Sequence, residues 1–163
     1  MAAEVGGIEA RLAALGLELP PPAVLPSGAT LSYRRFVRHG NIAYLSGHGP
    51  VRDGETAPLG RVGIDLNLDE AVEAAQLTAL SMLRTIKDSL GSLDAVESWL
   101  SVTGYVRAVP DFTQHSIVIN GFTDLVRDLW GENCLAARAA VGVADLPFGM
   151  PVEVSATVAL RNA

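Results

Sequence analysis

Val152-Glu153-Val154-Ser155-Ala156-Thr157-Val158-Ala159-Leu160 alternates without a break. Successive side chains of a β-strand point to opposite faces. Val152, Val154, Ala156, Val158 and Leu160 therefore form one apolar row, which needs a core. Glu153, Ser155, Thr157 and Ala159 form the other row. That row is small and polar, too mild for open solvent and too polar for the core of a monomer. A sheet face of this kind suits an interface between chains with a wet pocket in it.

Working outward, Leu146-Pro147-Phe148-Gly149 is a turn, and Ala137 to Ala144 before it is a further strand in which Gly142 reads as a bulge rather than a site. Pro110-Asp111 opens a helix over about 112–130 that Gly131 ends. Asp94 begins a long strand, with Val96, Leu100, Val102 and Val106 on one face and Trp99, Ser101, Thr103 and Tyr105 on the other. Asn67-Leu68-Asp69-Glu70 predicts a helix start, Asn67 capping and Glu70 at the capping-box position. Val72, Ala75, Ala79, Met82 or Leu83, Ile86 and Leu90 then give one apolar helix face, closed by Gly91. Leu31 to Arg38 and Ile42 to Gly47 read as a hairpin around His39-Gly40-Asn41. A loop from Pro50 to Pro58 follows it, and Arg61-Val62-Gly63 reads as a short third strand. Residues 1–29, a short helix (Ile8, Leu12, Leu15) and a stiff Pro20-Pro21-Pro22 connection, read as an appendage on a single domain of residues 30–163. The resulting order, β-β-(β)-α-β-α-β-β, predicts an α+β fold: a mixed sheet with two helices on one face.

Composition narrows the function. Hydrophobic residues make up 49% and charged residues 18%, an apolar balance that fits surface hidden in an oligomer or a large core. No apolar run approaches the ~20 residues of a membrane helix, and the opening Met1 to Gly16 has no basic region of a signal peptide. The formal net charge is −6 and Lys87 is the only lysine; without clustered cations to neutralise phosphates, nucleic acid is not an expected partner, and neither is a membrane. Cys134 is the single cysteine, so no intrachain disulfide is possible, which fits a cytoplasmic location. It reads as a bland thiol at a helix end. His39, His48 and His115 are not at ligand spacing, so no metal site and no cofactor are expected.

Three stretches carry a resemblance. Ala137-Arg138-Ala139-Ala140-Val141-Gly142-Val143-Ala144-Asp145-Leu146-Pro147 followed by Val152-Glu153-Val154 resembles the C-terminal signature of the RidA (YjgF) family, often labelled endoribonuclease L-PSP. Tyr33, Gly40-Asn41 and Tyr44-Leu45-Ser46-Gly47 resemble its N-terminal hairpin, and Asp111-Phe112 leading to Asn120 is a partial third match. Together they span about residues 31–161. The resemblance implies a chorismate-mutase-like fold, a homotrimer with a ligand pocket at each subunit junction, and hydrolysis of enamine or imine intermediates to 2-oxo acids and ammonia without a metal. The chain departs from the pattern in four respects. Ala140 stands where family deaminases commonly carry cysteine or another small polar residue, His48 stands where they commonly carry glutamine, the segment at 112–120 is longer, and the segment before Leu31 is extended. These departures imply a divergent subgroup.

The chemistry of the residues agrees with that expectation. The carboxylate of an imino acid needs a fixed cation, and the Arg138 guanidinium binds carboxylates bidentately. The imine carbon needs a held, partly deprotonated water, a role for Glu153. Arg138 and Glu153 on successive strands are expected to reach one pocket by antiparallel pairing, with Tyr33, Ser46, Gly47, His48 and Asn120 as its other lining. Plainer readings stand beside these: an Arg138–Glu153 interface ion pair, Tyr33 as strand packing, Ser46-Gly47 as a turn, His48 as a solvated loop residue and Asn120 as a local hydrogen-bonder. A binding protein that holds a small carboxylate without turnover is the alternative function, and a ribonuclease the least favoured.

Overall fold

In the computed structural model, which describes residues 6–25 and 28–162, the apolar rows meet in one core. The elements in chain order are α1 (Ile8–Ala14), β1 (Phe36–His39), β2 (Ile42–His48), β3 (Val51–Arg52), β4 (Glu55–Thr56), α2 (Leu68–Leu90), β5 (Val96–Arg107), α3 (His115–Trp130), β6 (Ala137–Val143) and β7 (Val152–Leu160). Five strands form one sheet in the order β1-β2-β7-β5-β6. β5 and β6 run parallel and every other neighbouring pair is antiparallel. The fold is thus α+β with a mixed sheet, and among the described residues no helix is long and apolar enough to cross a membrane.

Local chemistry explains the elements. The Asn67 side chain accepts the Glu70 amide at 3.0 Å, and the Glu70 carboxylate accepts the Asn67 amide at 2.8 Å. This capping box satisfies two of the free amides that every helix start leaves. Gly91 ends α2 with φ 81°, a left-handed conformation that costs glycine little. The β1–β2 hairpin turns on Gly40 (φ 61°) and Asn41, with His39 paired to Ile42. The N-terminal appendage is fastened to the domain: Glu9 Oε1 accepts Lys87 Nζ at 2.7 Å and the Leu93 amide at 2.8 Å, while Arg11 donates to the Leu129 carbonyl at 2.6 Å.

Several expectations are corrected. The first strand begins at Phe36 rather than Leu31; residues 31–35 form bends, tied to β2 where Ser46 donates to the Arg34 and Arg35 carbonyls. Arg61-Val62-Gly63 forms only isolated bridges from Val62 to Leu66 and Ala108; the additional strands are the small β3–β4 hairpin inside the expected loop. The long strand starts at Val96, after a 3₁₀ turn over Leu93–Ala95. Its alternation also breaks. Trp99 pairs with Val158 and Ser101 with Thr157, so β5 spends two steps where β7 spends one. This bulge turns Trp99 into the core, where it meets Phe122 and Trp130 edge to face, and leaves Leu100 42% exposed. Finally, β6 and β7 are not neighbours. β5 lies between them, because β5, α3 and β6 form a crossover unit that sets β6 parallel beside β5 while β7 pairs with the other side of β5.

α2 and α3 cover one sheet face and touch each other at Gly121. A Cβ added there would run into the Val72 carbonyl. In an open helix, glycine-to-alanine gains about 0.8–1 kcal/mol. Here overpacking of backbone on backbone outweighs that gain, with a typical cost of about 1–3 kcal/mol. Gly121→Ala is expected to lower the urea midpoint of unfolding; an unchanged or raised midpoint would show that the helices separate without cost.

Candidate functional site

The pairing of β2 with β7 slips at the end of the sheet. Leu45 pairs with Ala156 and His48 with Val154, so three steps on β2 face two on β7. The bulge brings Gly47 against Glu153 so closely that a Cβ at position 47 would strike the Glu153 carboxylate. Glycine is required here for close approach, since its φ is not left-handed. Glu153, which carries none of the side-chain hydrogen bonds of the described residues, borders a cavity of about 80 Å³, room for roughly six waters or one small acid. Burial raises its pKa above the ordinary carboxylate value.

Of the expected residues, Tyr33, Gly47 and Glu153 line this cavity together. Ser46 sits beside it but spends its hydroxyl on the Arg34 carbonyl at 2.7 Å, which pins the bent segment before β1 to β2. His48, expected in the pocket, lies beneath it, 1% exposed. Its ring is spoken for on both sides: Nδ1 lies 2.6 Å from the Ser46 carbonyl, and so carries the proton, while Nε2 accepts the Thr85 hydroxyl at 2.9 Å. Burial above all, then the nearby Arg35 charge, lowers its pKa to about 4 against the opposing pull of Ser46. His48 is a neutral strut between β2 and α2.

Arg138 and Asn120 are together, but elsewhere. Arg138 lies level with Val102 and Ala156, which places it on the helix-covered face. Nη1 donates to Asn120 Oδ1 at 2.9 Å and to Thr123 Oγ1 at 3.0 Å, and Nη2 to Ser116 Oγ at 2.6 Å. Glu153 lies level with Tyr105 on the opposite face. Strand spacing puts the two residues roughly 14 Å apart, so one chain does not bring them to one pocket. The expected antiparallel juxtaposition fails because β5 intervenes. Ala140 follows Arg138 on the same inward side, packed against the core.

The lining residues that were not anticipated include Arg35, Ser81 and Phe148. Arg35 was hidden by the regular strand expected from Leu31 to Arg38; its signal was its place two residues after Tyr33. Ser81 reads as one more position on the helix face. Phe148 sits in the Leu-Pro turn with φ 58°, half exposed, and an aromatic residue in a tight turn was the available clue. Among the described residues, no three His, Cys, Asp or Glu side chains gather where a metal ion would sit.

The family model described as Endoribonuclease L-PSP matches residues 26–160, and the chain belongs to this family, the YjgF/RidA family. Protein TCP17 of Trypanosoma cruzi is 37% identical over 158 residues, covering 96% of each chain. The crystal structure of Atu1372 from Agrobacterium tumefaciens, a protein of unknown function, superposes with a TM-score of 0.85 at 38% identity, covering 94% of this chain and 92% of that one. A putative endoribonuclease from Shewanella oneidensis has the same fold, with a TM-score of 0.87 at 24% identity over 95% of this chain and 100% of its own.

The His48 strut makes stability depend on pH. Its folded-state pKa lies below the unfolded value of 6.5, so below pH 6.5 the unfolded chain binds a proton that the folded chain refuses. Stability from this residue is complete above 6.5 and is lost as pH falls towards 4, by about 3 kcal/mol in all. His48→Gln keeps a hydrogen-bonding side chain and removes the titration. Denaturant titrations between pH 7 and 4 should therefore show a shallower loss in the variant; parallel curves would mean that His48 is protonated without penalty.

Proposed function

We propose that this protein hydrolyses enamine or imine intermediates of 2-oxo acids to the 2-oxo acid and ammonia, in pockets completed between the chains of a homotrimer. The observation that carries the proposal is Glu153. It is a half-buried carboxyl of raised pKa with no hydrogen-bond partner among the described residues, and Gly47 is kept bare to admit it to a cavity the size of a small acid. A group poised nearer neutral pH is better suited to taking and returning a proton.

The step balances without a redox partner. Glu153 accepts a proton from water as the water oxygen bonds to the carbon of the protonated imine, and the C=N electron pair moves to nitrogen. The carbinolamine then collapses: the proton held by Glu153 passes to the departing nitrogen, the freed carboxylate takes the hydroxyl proton as the C–N bond breaks, and ammonia leaves. The carbonyl of the 2-oxo acid remains. Tyr33 and the Gly47 backbone border the same space.

Arg138 supplies the carboxylate anchor in this scheme, with Asn120, Thr123 and Ser116 fixing its guanidinium and Nε–H without a partner among the described residues. Since Arg138 and Glu153 lie on opposite faces of one chain, both act on one ligand only if they come from different copies. Two features support assembly. β6, which carries Arg138, is an unpaired sheet edge. The face opposite the helices exposes Val37, Tyr44 and Val141 beside the small polar row of β7.

Two other readings are weaker. A carboxylate-binding protein without turnover gains nothing from a second anion, Glu153, in its pocket. A ribonuclease, which the family's description suggests, meets a chain of net charge −6, with little to neutralise phosphates.

The test is Glu153→Gln, which keeps shape and removes the base. The variant is expected to stay folded and to bind 2-oxo acids as well as the parent or better. Its turnover of iminopyruvate generated in situ should fall by roughly 10²–10⁴-fold. Full activity in the variant removes Glu153 from the mechanism, and an inactive parent that still binds 2-oxo acids favours the binding protein.

A further inference from the structure

Arg35 is a half-buried charge with no ion pair among the described residues. It lies in the bent segment before β1 and lines the Glu153 cavity. Burial pulls its pKa below the ordinary arginine value, and the neighbour that offsets this is the Tyr33 hydroxyl, not a carboxylate. A guanidinium taken partly out of water without a counter-charge is costly to keep. Such a group belongs where an anion arrives with the ligand.

The surroundings define what kind of anion. Arg35, Ser81 and Ala23 line two spaces at once: the 80 Å³ cavity with Glu153, and an adjoining groove of about 210 Å³ that runs along α2 past Thr85 and Ser89. Ser81 is 4% exposed, and its hydroxyl makes no hydrogen bond among the described residues. The groove's own acid, Asp88, is paired to Arg84 at 2.9 Å and leaves Arg35 unneutralised. One end of the cavity therefore offers a carboxyl base, and the other a guanidinium with a hydroxyl beside it. The guanidinium fork matches a carboxylate in shape and charge.

We propose that Arg35, with Ser81, holds a second carboxylate of the ligand, so that the preferred substrates are imines of 2-oxo dicarboxylic acids rather than of neutral 2-oxo acids. This rests on the hydrolase reading for the reaction, but the binding preference is separable from turnover. Arg138 takes the carboxylate next to the imine, Glu153 serves the water, and Arg35 measures the far end of the chain.

The experiment compares two acids of equal carbon count, 2-oxoglutarate and 2-oxopentanoate, by calorimetry on the full protein. A charge-assisted pair in a partly dry site predicts that the diacid binds about tenfold tighter or more. Arg35→Gln should bring the ratio close to one, and Arg35→Lys should restore part of it, with folding checked by circular dichroism. A parent that prefers the monoacid, a ratio unchanged in Arg35→Gln, or binding of neither acid at millimolar concentration overturns the assignment. Turnover of the corresponding imines, formed in situ from glutamate and norvaline, separates the two claims. A kept binding ratio without turnover of either imine sinks the hydrolase and leaves Arg35 in place. Turnover with equal preference for both imines and no binding ratio sinks Arg35 and leaves the hydrolase.

Discussion

A five-stranded sheet has two faces, and two helices cover only one of them. α2 and α3 lie together on the same side, in contact at Gly121, so the core is finished there. The other face keeps the row Glu153, Ser155, Thr157 and Ala159, flanked by exposed Val37, Tyr44 and Val141. Everything proposed about function depends on this asymmetry. A face that is neither core nor ordinary surface is where a second chain belongs. The residues with chemistry, Glu153 on that face and Arg138 at the open β6 edge, are the ones that a second chain would approach.

The site itself comes from a defect in the pairing. Without the slip between Leu45 and His48, Gly47 would not lie against Glu153, and the sheet would end in a regular edge. The bulge has a second consequence beneath the sheet. It turns His48 inward, where Ser46 and Thr85 hold its ring. One irregularity thus both opens the cavity and braces its floor. The bend before β1 then brings Tyr33 and Arg35 over the same space, fixed by the Ser46–Arg34 hydrogen bond.

Regular features were legible in the sequence because they repeat. The alternation of β7, the Asn67–Glu70 box and the apolar face of α2 are periodic or local signals, and each was found where the sequence placed it. Part of the candidate cavity was legible through the signature residues: Tyr33, Gly47 and Glu153 line it together. What escaped was non-periodic. The bulge at Leu100 reverses Trp99, and the bend before Phe36 carries Arg35 out of the strand expected to contain it. The strand order put β5 between Arg138 and Glu153, and 15 residues of sequence separation said nothing about that. His48 looked like pocket lining because it follows Gly47, but the same bulge that serves Gly47 directs its neighbour into the core.

The central claim is that the working pocket draws Glu153 from one chain and Arg138 from another. The direct measurement uses two single variants, Glu153→Gln and Arg138→Lys, each inactive on its own. They are unfolded together, refolded into mixed oligomers and assayed for imine turnover. A site between chains in a symmetric ring predicts that mixed oligomers regain activity that neither variant has, since some junctions pair a native arginine with a native glutamate. Mixed oligomers confirmed by mass spectrometry that remain as inactive as the separate variants would contradict the shared site.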